Sequence, residues 1–132
     1  MIFAGKRPTN LGIKNGKLAP CPNSPNCVSS QAQDAAHAIA PLGYRSTPEQ
    51  AMAHLKQVVQ SLPRNRIVTV TRNYLYVEFT SALMGFVDDV EFYLEESTKV
   101  IQVRSASRLG KSDLGVNRQR IETIRTGLQQ LQ

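Results

Sequence analysis

The most regular pattern of apolar residues begins at residue 47. Thr47 is suited to cap a helix, Pro48 to occupy its first position, and Gln50 to complete a capping box with the threonine. Apolar side chains then recur every three or four residues, which places them on one helical face, until Pro63 ends the pattern. The spacing predicts a helix over 48–62 whose buried face consists of Ala51, Met52, Leu55, Val58, Val59 and Leu62.

Between residues 67 and 107, apolar and polar residues alternate, which is typical of strands with one buried face. Arg72-Asn73 is a two-residue connection of the kind that a tight hairpin uses. A second two-residue turn, at Ser97-Thr98, would place Glu91 opposite Arg104 and form an ion pair on the polar face. The four predicted strands are Ile67–Thr71, Tyr74–Thr80, Val87–Glu95 and Val100–Ser107.

The C-terminal segment predicts a second helix, over 114–131, which Ser112 or Asp113 can cap. Its buried side consists of Ile121, Ile124, Leu128 and Leu131. Because the strands follow one another and the helices frame them, the order predicts an α+β fold. We expect a four-stranded antiparallel sheet with two helices on one face.

Residues 1–46 differ from the rest of the chain because they are rich in Pro, Gly, Asn and Ser and carry no sustained periodicity. A structureless loop of this length is uncommon in a compact domain, so we expect the segment to lie against the body of the protein. The expected organisation is one domain over 1–132, with a long loop-rich arm at 1–46 and a body at 47–132. The arm is expected to make its contacts through Leu11, Ile13, Leu18 and Val28.

Composition excludes several classes of protein. The 132 residues include four Tyr, four Phe and no Trp, and sixteen Lys and Arg against ten Asp and Glu give a net charge of +6. A basic chain favours an acidic partner, but the few aromatic residues and the lack of a nucleic-acid-binding motif argue against nucleic acid. No apolar stretch approaches the length that crosses a bilayer, and no internal repeat occurs, which excludes membrane-spanning and solenoid proteins.

The first residues bear on the cellular location. The chain begins with MIFAGKR, which lacks the pattern of a signal peptide, and two cysteines are few for an exported domain. We therefore expect a cytoplasmic monomer, or a protein of the thylakoid or periplasmic side if a leader has been removed. We expect no cofactor.

The segment from Cys21 to Cys27 is the most distinctive short motif. Two Pro and two Asn between the cysteines force a turn that brings the sulfur atoms within reach of each other. A reversible disulfide, a pair of buried thiols, half of a metal site and a catalytic thiol all fit this spacing. Zinc would need further ligands, and His37 and His54 stand at spacings that match no standard site, so we expect no metal. The structural thiol pair or disulfide is the favoured interpretation.

Basic residues cluster after the last predicted strand. A segment that leaves a strand and enters a helix combines N–H groups, a positive dipole end and guanidinium groups, which suit a carboxylate, phosphate or sulfate. Internal pairing is the competing interpretation, with Arg104 bound to Glu91 and Arg118 bound to Glu122. Asp113 would then serve as the helix cap. The candidate anion-binding residues are Arg104, Arg108, Lys111, Arg118 and Arg120.

The first half of the third predicted strand carries carboxylates at Asp88, Asp89 and Glu91. Alternation places Asp88 and Asp89 on opposite faces, which makes them weak candidates for paired acid–base catalysis. A small hydrolase or transferase is nevertheless the alternative function, with Asp89 and either Ser105 or Ser107 near the end of the sheet. Asp113 would complete that site and an arginine would stabilise charge, although the sequence identifies no base.

Three stretches of the chain form the most specific combined pattern. They are CPNSPNCVSS over 21–30, FTSALMGFVDDVEF over 79–92 and RSASRLGKSDLGVNRQRIE over 104–122. Together they resemble the DUF1499 family, whose domain would cover most of the chain and for which the resemblance implies no assigned reaction. Members occur in bacteria and in photosynthetic eukaryotes, and many carry an export or membrane segment that is not seen here. The arm is similar to that of cyanobacterial members, which implies a photosynthetic source.

The basic cluster and the lack of a nucleophile–base set lead to a functional hypothesis. We expect a non-enzymatic binding or assembly module that recognises an anionic small ligand or an acidic protein surface. The small hydrolase or transferase is the competing hypothesis.

Overall fold

An antiparallel sheet of six strands and two helices form an α+β architecture. The computed structural model describes residues 3–110 and 115–131. The strands are β1 (Cys27–Ser29), β2 (Leu42–Gly43), β3 (Asn65–Val70), β4 (Tyr74–Thr80), β5 (Val87–Glu95) and β6 (Val100–Ser107). The helices are α1 (Pro48–Ser61) and α2 (Val116–Leu131). Within the described residues, neither helix has the length and apolar character needed to cross a bilayer.

The alternating segments form the consecutive strands β3, β4, β5 and β6, and the last three have the predicted bounds. The turn between β5 and β6 sets the predicted register, with Glu91 opposite Arg104 and Phe92 opposite Val103. The strand β3 begins earlier than predicted because Asn65 already pairs with the end of β4. Local alternation and short turns therefore determine this part of the sheet.

The prediction of four strands is wrong, because residues before 47 contribute β1 and β2. Both strands pair antiparallel with β6, with Cys27 opposite Ala106 and Leu42 opposite Ile101. Strands of three and two residues are too short to show alternation in the sequence. They form because β6 offers an edge with unpaired backbone groups, which β1 and β2 cover.

The predicted helix caps can be compared with the structure at α1 but not at α2. The helix α1 has the predicted capping box: the Gln50 amide donates to Thr47 Oγ1 at 3.2 Å, and the Thr47 amide donates to Gln50 Oε1 at 3.3 Å. The described part of α2 begins at Val116. The predicted caps of α2, Ser112 and Asp113, lie outside the described residues.

Apolar side chains pack on both faces of the sheet. On the helix side, the buried residues of α1 and α2 join the inward residues of β4, β5 and β6 in one cluster that includes Leu55, Leu75, Phe92, Ile101 and Ile121. On the opposite face, which we call the arm side, Tyr74 and Tyr76 pack with Leu11, Ile13 and Leu18. Residues 11–18 therefore cover the face that the helices leave open.

Candidate binding cleft

The end of the sheet where β4 meets β5 has different chemistry on its two faces. Asp88 stands opposite Phe79 and Ser107 on the helix side, and Asp89 stands opposite Glu78 on the arm side. The prediction that these adjacent carboxylates leave opposite faces is confirmed. Each face therefore has its own acidic group at this end of the sheet.

A cleft of about 710 Å³ opens on the helix side of this end. The end of α1 and the start of β3 form one wall, the β4–β5 loop forms a second, and the start of α2 forms a third. A volume of several hundred Å³ is typical of small-molecule sites. The described lining residues include Leu62, Arg64, Thr80, Ser81, Phe86, Asp88, Ser107, Leu109, Val116, Gln119, Arg120 and Thr123.

Arg120 forms the floor of the cleft. Its Nη2 lies 2.8 Å from Asp88 Oδ2, and its guanidinium carbon lies 4.8 Å from the centre of the Phe79 ring. Its Nη1 donates to Ser105 Oγ at 3.2 Å and to Asn117 Oδ1 at 3.0 Å. These contacts fix the orientation of the guanidinium while 14% of the side chain stays exposed.

Asn117 connects the floor of the cleft to the rest of the sheet. Its Oδ1 accepts from Ser105 Oγ at 2.6 Å, and its Nδ2 donates to Ser107 Oγ at 2.9 Å and to the Asn26 carbonyl at 3.1 Å. The residue is fully buried. Sequence reasoning missed it, although its position one helical turn before Ile121 on the apolar stripe was a signal, because a buried amide needs polar partners.

The rim of the cleft is apolar. Phe86 from the β4–β5 loop, Leu109 after β6 and Val116 at the start of α2 are 38%, 41% and 45% exposed. Among the described residues, Arg64 places a cation at the mouth, where its Nε donates to the Thr80 carbonyl at 3.2 Å. The cleft thus combines an apolar entrance with basic groups at its mouth and floor.

The family of the chain follows from a match over most of its length. Residues 17–128 match the family model described as protein of unknown function, DUF1499. The chain belongs to the DUF1499 family. The matched part includes both cysteines, all six strands and every wall of the cleft. No curated protein shows significant similarity to this DUF1499 chain.

Two of the predicted anion-binding residues of this DUF1499 protein lie on the arm side, away from the cleft. Arg104 is buried with its Nη1 3.9 Å from Glu91 Oε1, which is the predicted ion pair. Arg108 donates from Nε to Asp89 Oδ2 at 2.9 Å and from Nη2 to Glu78 Oε2 at 2.5 Å. Both guanidinium groups therefore have internal partners.

The remaining predicted anion-binding residues differ in position. Arg118 donates to the Ala38 carbonyl at 2.8 Å, whereas Glu122 pairs with an arginine three residues further along α2 instead of with Arg118. Lys111 lies outside the described residues. Of the predicted anion-binding residues that the structure describes, Arg120 alone lines the cleft.

A buried polar cluster lies on the arm side. The Tyr74 hydroxyl donates to Glu91 at 2.5 Å, and the Tyr76 hydroxyl donates to Asp89 at 2.5 Å. Burial, together with these carboxylates, raises the pKa of both tyrosines well above the usual range. Burial also raises the pKa of Glu91 and lowers that of Arg104, because their separation of 3.9 Å is too long for a hydrogen bond that would offset the lost hydration. The arm closes over this cluster, which makes it a structural network.

The structure does not bring together the residues of the predicted hydrolase or transferase site. Ser105 and Ser107 face the helix side and Asp89 faces the arm side, so the sheet separates them. Ser107 Oγ accepts from the Asn117 amide, and no histidine or cysteine stands among the described lining residues to activate it. Asp113 lies outside the described residues.

Cys21 and Cys27 form a disulfide with their Cα atoms 5.7 Å apart. Cys27 is fully buried at the start of β1, whereas Cys21 is partly exposed. The nearby His37 binds Asp34 through Nδ1 and the Ser24 carbonyl through Nε2. Within residues 3–110 and 115–131, no group of three or more His, Cys, Asp and Glu side chains is arranged to hold a metal ion.

Proposed function

We propose that this DUF1499 protein is a binding protein whose cleft takes a small amphipathic molecule with an anionic group. One observation carries the proposal: the guanidinium of Arg120 is held at the floor of a cleft whose rim is apolar. A short hydrocarbon chain would pack against Phe86, Leu109 and Val116 while its carboxylate or phosphate reaches the guanidinium.

The charges that line the cleft favour an anion. Among the described lining residues, Arg64 and Arg120 are opposed by Asp88 alone. Arginine suits this role because its planar guanidinium can bind two acceptors at once. A carboxylate that enters the cleft would therefore share Arg120 with Asp88.

The burial of Arg120 favours a small ligand over an acidic protein surface. Only 14% of this side chain is exposed, and it lies at the floor of the cleft. A narrow anionic group can reach that depth, whereas a flat protein surface cannot. Binding is favoured over catalysis because Ser107, the nucleophile of the alternative hypothesis, has no base among the described residues around it.

The experiment compares ligands that share one hydrocarbon chain and differ in the head group. Decanoate and decyl phosphate are titrated into the ¹⁵N-labelled protein, with decanol and decyltrimethylammonium as uncharged and cationic controls. We expect both anions to shift the backbone amide signals of Thr80, Gln119 and Thr123, which line the cleft, more strongly than either control does.

A pair of variants on α2 tests the role of the floor arginine. Arg120→Gln is expected to weaken decanoate binding about tenfold or more, because a hydrogen-bonded charge is lost. Arg118→Gln is the matched control, since Arg118 binds the Ala38 carbonyl outside the cleft. Equal losses in the two variants would contradict the proposal. Binding of a glutamate-rich peptide without binding of decanoate would also contradict it, and would indicate that the partner is an acidic protein surface.

A further inference from the structure

The β4–β5 loop, residues 81–86, exposes apolar side chains that the cleft does not use. Leu83 is 90% exposed and Met84 is 45% exposed, and neither lines the cleft. A single exposed leucine is ordinary on a protein surface, whereas neighbouring exposed apolar groups mark an interaction surface. The exposure of these two residues therefore needs an explanation other than ligand binding.

The exposed apolar residues are concentrated at one end of the sheet. Leu83 and Met84 stand beside Phe86, and Leu109 and Val116 form the facing rim of the cleft. The other large apolar side chain exposed among the described residues is that of Val70, which lies at the opposite end of β3. The distribution defines one apolar surface, at the end where β4 meets β5.

Basic groups flank this apolar surface. Arg64 lines the cleft together with Phe86, and Gly5 lies against Leu109, which brings the exposed Lys6 to the same end of the molecule. Within residues 3–110 and 115–131, neither Lys6 nor Arg64 has a carboxylate partner. Apolar side chains next to cations that have no carboxylate partner are the combination that binds the interface of an anionic bilayer.

We propose that the 81–86 loop docks this protein on an anionic lipid surface. Leu83 and Met84 enter the interfacial region, and Lys6 and Arg64 face the anionic head groups. A second copy of the chain is a poorer occupant because both copies carry a net charge of +6 and repel each other. The proposal does not depend on a ligand in the cleft, because Leu83 and Met84 do not line it.

The test is cosedimentation of the full chain with vesicles of phosphatidylcholine alone or mixed with phosphatidylglycerol. We expect binding to the mixed vesicles that weakens as salt is added. Leu83→Asp is expected to lower the ratio of bound to free protein at least about tenfold, because an apolar group is lost from the interface and a negative charge is added. Val70→Asp is the matched control at the opposite end of the sheet, and its binding should equal that of the unchanged chain.

Several results would overturn the proposal. They are no binding to the mixed vesicles, equal effects of the two aspartate variants, and a dimer in solution that Leu83→Asp dissociates while vesicle binding is absent. Urea unfolding of both variants checks that each is folded. Arg120→Gln separates this proposal from the proposed function, because it should retain vesicle binding while decanoate binding is weakened.

Discussion

Asp88 and Asp89 are adjacent in the chain, yet they form ion pairs with different arginines on opposite faces of the sheet. Asp88 Oδ2 lies 2.8 Å from Arg120 Nη2 on the helix side, and Asp89 Oδ1 lies 2.8 Å from Arg108 Nη2 on the arm side. The first pair fastens α2 to the sheet at the floor of the cleft. The second pair lies beneath the arm, where Arg108 also donates to the Gly5 carbonyl. Variants of the two pairs should therefore have different consequences.

Arg108→Ala is expected to lower the free energy of unfolding by about 3–5 kcal/mol, because the buried carboxylate of Asp89 and the partly buried one of Glu78 lose their common partner. Urea unfolding at neutral pH measures the loss. Arg7→Ala is the control, since Arg7 contacts the same Glu78 with 48% of its side chain exposed and its removal should cause a much smaller loss of stability. Similar losses in the two variants would contradict the burial argument.

Asp88→Asn is expected to raise the affinity for decanoate about fivefold, because the carboxylate that competes for Arg120 is removed. Calorimetric titration of the variant against the unchanged chain measures the effect. Asp89→Asn is the neighbouring control on the other face of the sheet and should leave the affinity unchanged. Weaker binding to Asp88→Asn would show that this carboxylate positions Arg120 instead of competing for it.

His37 is expected to make stability depend on pH near neutrality. Its two ring nitrogens face only acceptors, the Ser24 carbonyl and the Asp34 carboxylate, and these raise the pKa of His37 above its usual 6.5. The folded state therefore holds a proton that the unfolded state releases, so this contribution is present below pH 6.5 and is lost as pH rises through the higher folded value. Melting temperatures measured across this range should fall less steeply in His37→Gln and in Asp34→Asn. An unchanged slope in both variants would contradict the assignment.

Reduction of the Cys21–Cys27 disulfide is expected to lower the free energy of unfolding by about 2 kcal/mol, as a short closed loop implies. Hydrogen exchange should rise in residues 19–26 while β4 and β5 stay protected, because the hydrogen bonds between these two strands do not involve this loop. Cys21→Ser should reproduce the effect, since Cys21 is the partly exposed member of the pair. Loss of protection throughout the sheet on reduction would show that the bond supports the whole fold.

Gly127→Ala is expected to destabilise the protein by about 1–2 kcal/mol, although alanine favours a helix. A Cβ at Gly127 would stand 2.9 Å from Val58 Cγ1, where α2 meets α1. Thermal unfolding measures the loss, and Thr126→Ala, at an exposed position of the same helix, is the control. In a protein that already carries Val58→Ala, the Gly127→Ala change should leave the free energy of unfolding unchanged. If Gly127→Ala still destabilised the Val58→Ala protein, a contact other than the one with Val58 would be responsible.

Much of the sheet could be predicted from the sequence because its rules act over short distances. Alternation placed β4, β5 and β6 at their observed bounds. The turn predicted at Ser97-Thr98 gave the observed register, with Glu91 opposite Arg104, although the connection spans residues 96–99. The capping box of α1 is likewise a relation between two residues three positions apart, Thr47 and Gln50. In each case the partners are close in the chain, so the residue types and their spacing were sufficient to predict the contact.

The partners of Arg108 and Arg120 could not be predicted in the same way. These two arginines are close in sequence, but the sheet and α2 direct them to carboxylates on different faces. Any of several acidic residues would satisfy a guanidinium, so only the assembled fold decides which one does. The single arginine on the floor of the cleft is therefore a product of tertiary structure.

What the sequence determined by itself is the α+β order of elements, the register of β5 and β6 and the opposite directions of Asp88 and Asp89, because neighbouring residues specify these features. What the tertiary structure decided is the pairing of β1 and β2 with β6, the coverage of the arm side by residues 11–18 and the cleft at the end of the sheet. These features join segments tens of residues apart. They form only when burial of apolar surface in the whole molecule outweighs the entropy lost in ordering each segment.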